Sequence, residues 1–542
     1  MLGAARPPGA VDSDRPGGAD RLRHAMRFPA IGPAALAAGR PYRSMRRRLR
    51  NFLSGAARAV PLASALFGAA PGLAAAQALR GSASSTAHYI ELRPLRVDTV
   101  PFELVVPGPN GEPTFGGLPV ACEADFCVVY RSGEVEHALS ATHEADFTMW
   151  GLGVEGLSAT FLARARTHLD GEFRLPLTDD PIEAVLAYAQ LVRGAYRFRV
   201  GRQRELSGLG FAGFDGVDVL YEPRRTLRAQ VYGGRSLARN VQQPLARAFR
   251  DVDERDFVRG RDAYLLGGEL AVEPAGGSTV ALRYQAEIWE DRAGFISERA
   301  LLIGRTTAVR PLVVAASAEF DVGFGRFGKA QLDVEYPLPA LGLRVEATLR
   351  RYLPFFEYWT IWGLFSPVAY HEAELRSSWS ATPQMGVWAS AAYRRYAAHN
   401  TQTFLRPLEG ESVRAAAGAE WRIPEVLRFD AAARVEGSVG AFSIGADAAV
   451  QWRATSRIDL TLHAALLQQI EEFHVGAGVL GGGGVGADVQ LRGDLRMTSG
   501  FELYRQTHQD RPGRPDWTQR RAWLSLRLDV GSDPGLAGRE EP

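Results

Sequence analysis

The sequence predicts an all-β fold: a transmembrane antiparallel up-and-down β-barrel of about 22 strands, within a range of 18–24. Three observations predict it. From about residue 142 to 530, apolar and polar residues alternate with a period of two, which places one set on each face of a strand. The alternating segments run near ten residues, longer than the five or six of an average soluble strand and matched to a tilted crossing of a hydrocarbon core. The gaps between segments alternate short and long, as expected of turns at one rim and loops at the other.

Single segments show the period directly. In 427–436, Leu427, Phe429, Ala431, Ala433 and Val435 oppose Arg428, Asp430, Ala432, Arg434 and Glu436. In 442–453, Phe442, Ile444, Ala446, Ala448, Val450 and Trp452 oppose Ser443, Gly445, Asp447, Ala449, Gln451 and Arg453. The same holds at 281–288, 343–350 and 521–530. A sheet in lipid must close on itself, because an open edge would leave backbone donors and acceptors without partners. Twenty-one segments can be marked between 142 and 530. Bacterial single-chain barrels usually have an even number of strands, so one more strand is expected before residue 142, around 125–137.

Short gaps fall at 153–156, 193–195, 223–225, 309–311, 381–385, 423–426, 454–457 and 493–494. Long ones fall at 169–181, 237–262, 354–368, 398–411, 468–484 and 506–518, with brief members at 322–327 and 438–441. Both termini are therefore expected on the periplasmic side.

The domain plan follows. Residues 1–44 read as an upstream extension. Residues 45–77 read as a secretory signal. Arg46, Arg47, Arg48 and Arg50 precede an apolar stretch from Val60 to Leu73, and Ala76-Gln77-Ala78 stands at its end, a small-x-small pattern that a signal peptidase accepts. Residues 78–140 form an N-terminal periplasmic segment with a small disulfide loop and room for the first strand. The barrel spans 141–530, and a polar tail covers 531–542. Cys122 and Cys127, with no His or further Cys nearby to complete a four-ligand metal site, point to a small oxidised loop.

The formal net charge is +2, but residues 1–77 carry twelve Arg against three Asp, which leaves the remainder at −7. A chain of that sign is a poor partner for nucleic acid.

The lumen-facing candidates are Arg164, Arg166, Arg197, Arg199, Arg228, Arg283, Glu287, Glu346, Glu374, Arg434, Glu436 and Asp447, with Asp333, Glu335, Arg344, Glu372, Arg376 and Arg527 on the same parity. The early strands are rich in Arg, which would favour anions. Phe355, Phe356, Tyr358, Trp359 and Trp362 make an aromatic loop, expected at a membrane interface.

Other motifs reduce to ordinary roles. Gly151–Gly156 and Gly476–Gly481 match G-x-G-x-x-G, but neither opens an amphipathic helix. The first reads as a hairpin turn and the second as a loop entering a strand. Gly481–Gly484 would permit a close backbone approach. His371 and Glu372 are adjacent and point to opposite faces, His463 shares a face with Asp459 and Thr461, and His474 lies in a long gap. No catalytic set emerges, and no cofactor or metal is expected.

The segment from Tyr196 to Gln203 (Tyr-Arg-Phe-Arg-Val-Gly-Arg-Gln), followed by Phe214-Asp-Gly-Val-Asp-Val219, resembles a hairpin of bacterial outer-membrane porin-like and alginate-exporter-like barrels. The architecture over about 140–530 is similar to theirs. One departure is that the last strand stops near Val530 and a polar tail follows, where such barrels usually end on an aromatic residue. The resemblance implies an outer-membrane porin-like channel passing small or anionic solutes. Two alternatives stand beside it: a structural sheath around a partner such as a multihaem cytochrome, or a polysaccharide exporter. The expected partners are outer-membrane lipid, small solutes and, on the sheath reading, a periplasmic or extracellular protein; the oligomeric state stays open.

If long loops lie outside, Leu245→Cys and Leu405→Cys should react with an impermeant thiol reagent on intact cells, while Pro383→Cys should not. Labelling at 383 alone would reverse the orientation.

Overall fold

In the computed structural model, residues 78–531 are described apart from breaks at 93–94, 109–112, 117, 124–125, 172–181, 225, 238–262, 275–276, 291–293, 324, 354–368, 397–409, 439–440, 471–477 and 509–516. The expected signal segment, upstream extension, polar tail beyond 531 and aromatic loop lie outside these residues.

The first strand is β1 (Ala78–Leu92). Five short strands follow: β2 (Leu95–Pro101), β3 (Val106–Pro107), β4 (Pro113–Phe115), β5 (Leu118–Glu123) and β6 (Phe126–Ser132). The chain then runs through β7 (Glu136–Trp150), β8 (Leu157–Gly171), β9 (Ile182–Arg193), β10 (Tyr196–Ser207), β11 (Gly210–Arg224), β12 (Leu227–Ser236), β13 (Ala263–Val272), β14 (Thr279–Trp289), β15 (Phe295–Thr306), β16 (Val313–Asp321) and β17 (Arg326–Leu338). It continues with β18 (Leu343–Tyr352), β19 (Tyr370–Thr382), β20 (Met385–Tyr396), β21 (Glu411–Ile423), β22 (Leu427–Ser438), β23 (Ala441–Thr455), β24 (Ile458–Ile470), β25 (Gly478–Arg492), β26 (Leu495–His508) and β27 (Trp517–Gly531).

β1 and β7–β27 form one antiparallel sheet of 22 strands. Each strand pairs with its neighbours in the chain, and the ring closes where β1 lies between β27 and β7. The fold is the expected up-and-down barrel, and the strand number agrees. The placement of the first strand differs. It is Ala78–Leu92, not 125–137: residues 126–132 belong to a separate five-stranded sheet, β2-β6-β5-β4-β3. That sheet has its own core of Val100, Val120, Cys127 and Val129, with Val105, Phe115 and Leu118 packed against it. Cys122 and Cys127 face each other across its β5–β6 hairpin and are disulfide-bonded.

Register fixes the rim on which this small sheet sits. Ala78 pairs with Trp150, just before the turn at 151–156, and Leu92 pairs with Glu136. β1 therefore runs from the short-turn rim to the long-loop rim, and the small sheet is inserted there. Residues 78 and 531 start and end the barrel at the opposite rim. Segment 78–140 thus contributes β1 to the barrel wall and carries the small sheet between β1 and β7.

The glycine run at 481–484 is a second difference. β25 begins at Gly478, so these residues lie within a strand and not in a long gap.

The two faces differ sharply in exposure. Val200, Val217, Val231, Leu266, Leu282 and Leu302 stand out from one face, and Leu206 reaches 77% exposure. On the other face Asp218 is 2% exposed and Glu372 4%. Side chains crowd on the concave side of a closed ring and splay on the convex side, so the apolar face is outside. Toward the short-turn rim the outer face carries Tyr196, Tyr336, Trp379, Trp421 and Trp452, which suits a membrane interface. Tyr196 and Tyr221 pack there with ring centroids 4.7 Å apart.

Ala448 sits mid-strand on the outer face, opposite Ala431 and Ala464. Ala448→Arg should destabilise the inserted barrel by about 2–4 kcal/mol, the cost of a cation near the bilayer midplane. Gln451→Arg, on the inner face, should be far milder. Urea unfolding in lipid vesicles measures both.

Candidate functional site: the inner wall of the barrel

The inner wall is built from one parity of every strand, and its charges are arranged as cross-strand ion pairs. The Nε of Arg164 on β8 lies 2.6 Å from Glu144 Oε1 on β7, and its Nη1 lies 3.3 Å from Glu183 Oε1 on β9. Arg166 Nη1 reaches the other oxygen of Glu183 at 2.6 Å. Glu183 joins this wall because of a register shift: Leu162 pairs with Leu186 but Ala163 pairs with Ala184. The extra residue, Val185, is a bulge that reverses the alternation. Strict parity from Ala187, Ala189 and Leu191 would place Glu183 outside.

The other expected residues are placed as follows. Arg197 Nη2 donates to Asp218 Oδ1 at 3.3 Å, and Asp218 also accepts from Gln230 Nε2. Arg199 Nε donates to Gln190 Oε1 at 2.8 Å, with its guanidinium 5.3 Å from the Tyr188 ring centroid. Arg228 and Arg283 converge on Glu269. Glu287 accepts from the Ser236 hydroxyl. Glu346 lies 3.9 Å from Arg344, Glu374 3.3 Å from Arg414, Glu436 3.4 Å from Arg394, and Arg434 3.5 Å from Asp447. None of these pairings was legible from parity alone, because parity gives the face and not the register.

The densest cluster centres on Glu372. Register places it directly between Arg350 on β18 and Arg394 on β20. Its Oε1 lies 3.3 Å from both Arg350 Nη1 and Arg414 Nη2, and its Oε2 lies 2.7 Å from Arg394 Nη2. Arg394 is held further by the rings of Tyr370 and Tyr396, at 4.3 and 5.9 Å, and donates to the Tyr396 hydroxyl at 3.2 Å. Three guanidiniums share one buried carboxylate, and Glu374 and Glu436 balance the remaining charge. His371, the adjacent residue, is on the outer face, as the alternation predicts.

His463 gains partners that the sequence did not suggest. Its Nε2 is 3.4 Å from Glu502 Oε1 and 3.4 Å from the Tyr504 hydroxyl, two strands away on β26. The strand between them is β25. A Cβ on Gly484 would lie 2.7 Å from the His463 ring, and one on Gly482 2.6 Å from Tyr504. The glycine run leaves space for side chains to meet across it.

The porin-like segment has a comparable explanation. Gly201 has φ +122°, and a Cβ there would stand 2.2 Å from the Ala187 carbonyl; one on Gly216 would stand 2.0 Å from the Gly233 carbonyl. Arg202 and Asp215 are register partners with an Nε–Oδ1 distance of 2.8 Å, and Gln203 Nε2 donates to the Gly216 carbonyl at 3.1 Å. Arg202 shares the outer parity of Phe198 and Val200, so this ion pair is on the outer face.

Gly151, Gly153 and Gly156 all have positive φ in the turn after β7, consistent with a hairpin turn. At the 493–494 turn, Arg492 Nη2 lies 2.7 Å from Asp494 Oδ2 and holds that exposed carboxyl below its ordinary pKa. Among the described residues no group of three or more His, Cys, Asp or Glu side chains is placed to hold a metal.

No protein-family model matches the chain, and no curated protein is significantly similar to it in sequence. Solved structures similar to it include a BenF-like porin from Pseudomonas fluorescens (9% identity, 84% of this chain and 100% of that one, TM-score 0.39). The ferric enterobactin receptor from Pseudomonas aeruginosa gives 9% identity, 83% and 81% coverage and a TM-score of 0.41. A bacterial polysaccharide outer-membrane secretin gives 12% identity, 50% and 92% coverage and a TM-score of 0.30.

Removing the central carboxylate tests the cluster. Glu372→Gln leaves Arg350, Arg394 and Arg414 without their shared counter-charge and should cost about 3 kcal/mol of barrel stability. Glu346→Gln, on the same wall and 3.9 Å from its Arg, should cost under about 1 kcal/mol. Thermal unfolding followed by heat-modifiable electrophoretic mobility distinguishes the two.

Proposed function

We propose that the chain is an outer-membrane channel whose charged inner wall passes small hydrophilic solutes. The observation that carries this reading is the division of one closed sheet into an apolar outer belt and an inner wall of ion pairs. Closure removes every free sheet edge, the belt matches hydrocarbon, and the inner wall offers polar partners along the barrel. The outer membrane is the place for such a barrel, and the long-loop rim faces outward.

The inner residues Arg164, Arg166, Arg197, Arg199, Arg228, Arg283, Glu346, Glu374, Arg434, Glu436 and Asp447 are the proposed solute-contacting wall, whereas Glu287, 4% exposed, is enclosed within it. The Arg of the early strands suggested a preference for anions. Their pairing with Glu144, Glu183, Asp218 and Glu269 moderates that preference, because a matched guanidinium presents little net field to a passing ion. The proposed specificity is therefore for size and polarity, with weak charge selection.

Planar-bilayer recording of the purified chain tests this. The expected result is stepwise conductance with weak ion selectivity, moving toward anions in Glu372→Gln. A verified, inserted barrel that carries no current would overturn the channel reading.

A further inference from the structure

The outer face carries charges on one half only. On the long-loop half are Arg202, Arg204 and Arg235 near β10–β12, and Arg351, His371 and Arg395 on β18–β20. On the short-turn half the corresponding rows are aromatic or aliphatic, apart from Arg193, Arg224 and Arg492, each at the last position of its strand before a turn. A charge on a lipid-facing wall costs free energy unless it is paired or meets the headgroup layer; Arg202 is paired with Asp215 within the wall, whereas the row at Arg351, His371 and Arg395 needs an anionic partner at that depth.

One site combines the basic row with a cavity. Arg351, His371 and Arg395 are register partners on three adjacent strands, and all three are exposed. Below them Leu332, Leu349 and Tyr393, all exposed, line an open groove of about 530 Å³. Among the described residues neither Arg351 nor Arg395 has an ion-pair partner. The one carboxylate on the row, Glu411, lies beyond Arg395 and accepts a hydrogen bond from the Tyr393 hydroxyl. The backbones of Arg351 and Arg395 are two strands apart, roughly 10 Å.

We propose that this groove seats a phosphate-bearing lipid of the outward-facing leaflet, with its headgroup phosphates on Arg351 and Arg395, His371 between them, and an acyl chain against Leu332 and Leu349. The occupant is a membrane lipid and not a soluble anion, because the basic row lies directly above an apolar floor on the lipid-facing wall. This rests on the membrane-barrel reading above, but binding is read without conductance, so a silent channel would leave it standing.

Native mass spectrometry of the detergent-solubilised full chain tests it, with diphosphoryl lipid A, phosphatidylethanolamine and inorganic phosphate as probes. Diphosphoryl lipid A should be retained, and the double variant Arg351→Gln/Arg395→Gln should bind it roughly thirtyfold more weakly, from about 1 kcal/mol per surface cation. Arg344→Gln, on the inner wall, should bind as the unmodified chain does. Ala373→Asp places a carboxylate in the groove while keeping both guanidiniums, and it should show a comparable loss if the double variant fails to insert. Unchanged binding in both groove variants, equal retention of phosphatidylethanolamine, or full displacement of the lipid by inorganic phosphate would each overturn the proposal.

Discussion

Everything in this fold depends on satisfying backbone hydrogen bonds where no water is available. In hydrocarbon an unpaired N–H or C=O costs several kcal/mol, so a spanning sheet is stable only as a ring. β1 completes that ring. It pairs with β27 from Arg80 to Ile90 and with β7 from Ala78 to Leu92. Once the ring is closed, each strand has one convex and one concave face, and the period of two becomes a division between lipid and lumen.

The inner wall follows from that division. Charged side chains enclosed by the ring are partly removed from water, so each needs a counter-charge or hydrogen bond. Adjacent antiparallel strands supply them at register partners, as at Arg350–Glu372–Arg394. Between His463 and Tyr504 the intervening strand is reduced to glycine, which leaves the two side chains room to meet across it. A wall balanced in this way suits a polar path with little charge preference, while the unbalanced charges of the outer face gather where a lipid headgroup layer would meet them.

Much of the architecture was legible in the sequence, for a physical reason. Lipid on one side and water on the other impose a strong alternation, as in 427–436 and 442–453, and the ten-residue length and gap pattern extend it to a barrel. β1 was not legible. Its outer row is Gly81, Ala83, Ser85, Ala87 and Tyr89, and its inner row is Ser82, Ser84, Thr86 and His88. Both rows are small or weakly polar, so the contrast vanishes. Residues 126–132 carry a stronger strand signal, Phe-Cys-Val-Val-Tyr-Arg-Ser, but spend it on the separate disulfide-bonded sheet. The face of each inner charge could be read from parity except at bulges such as Val185. Its partner could not, since register depends on turn geometry and a two-residue slip keeps the face while changing every pair.

The central claim is that residues 78–92 close the ring, and the most direct measurement is a crosslink across that seam. Ser84 and Arg527 are register partners. The double variant Ser84→Cys/Arg527→Cys, oxidised in native membranes, should form an intramolecular disulfide that joins the two ends of the barrel and shifts its mobility on a denaturing, non-reducing gel. Absence of that crosslink, with a crosslink in Val129→Cys/Arg527→Cys in its place, would contradict the account by showing that residues near 129 close the barrel instead.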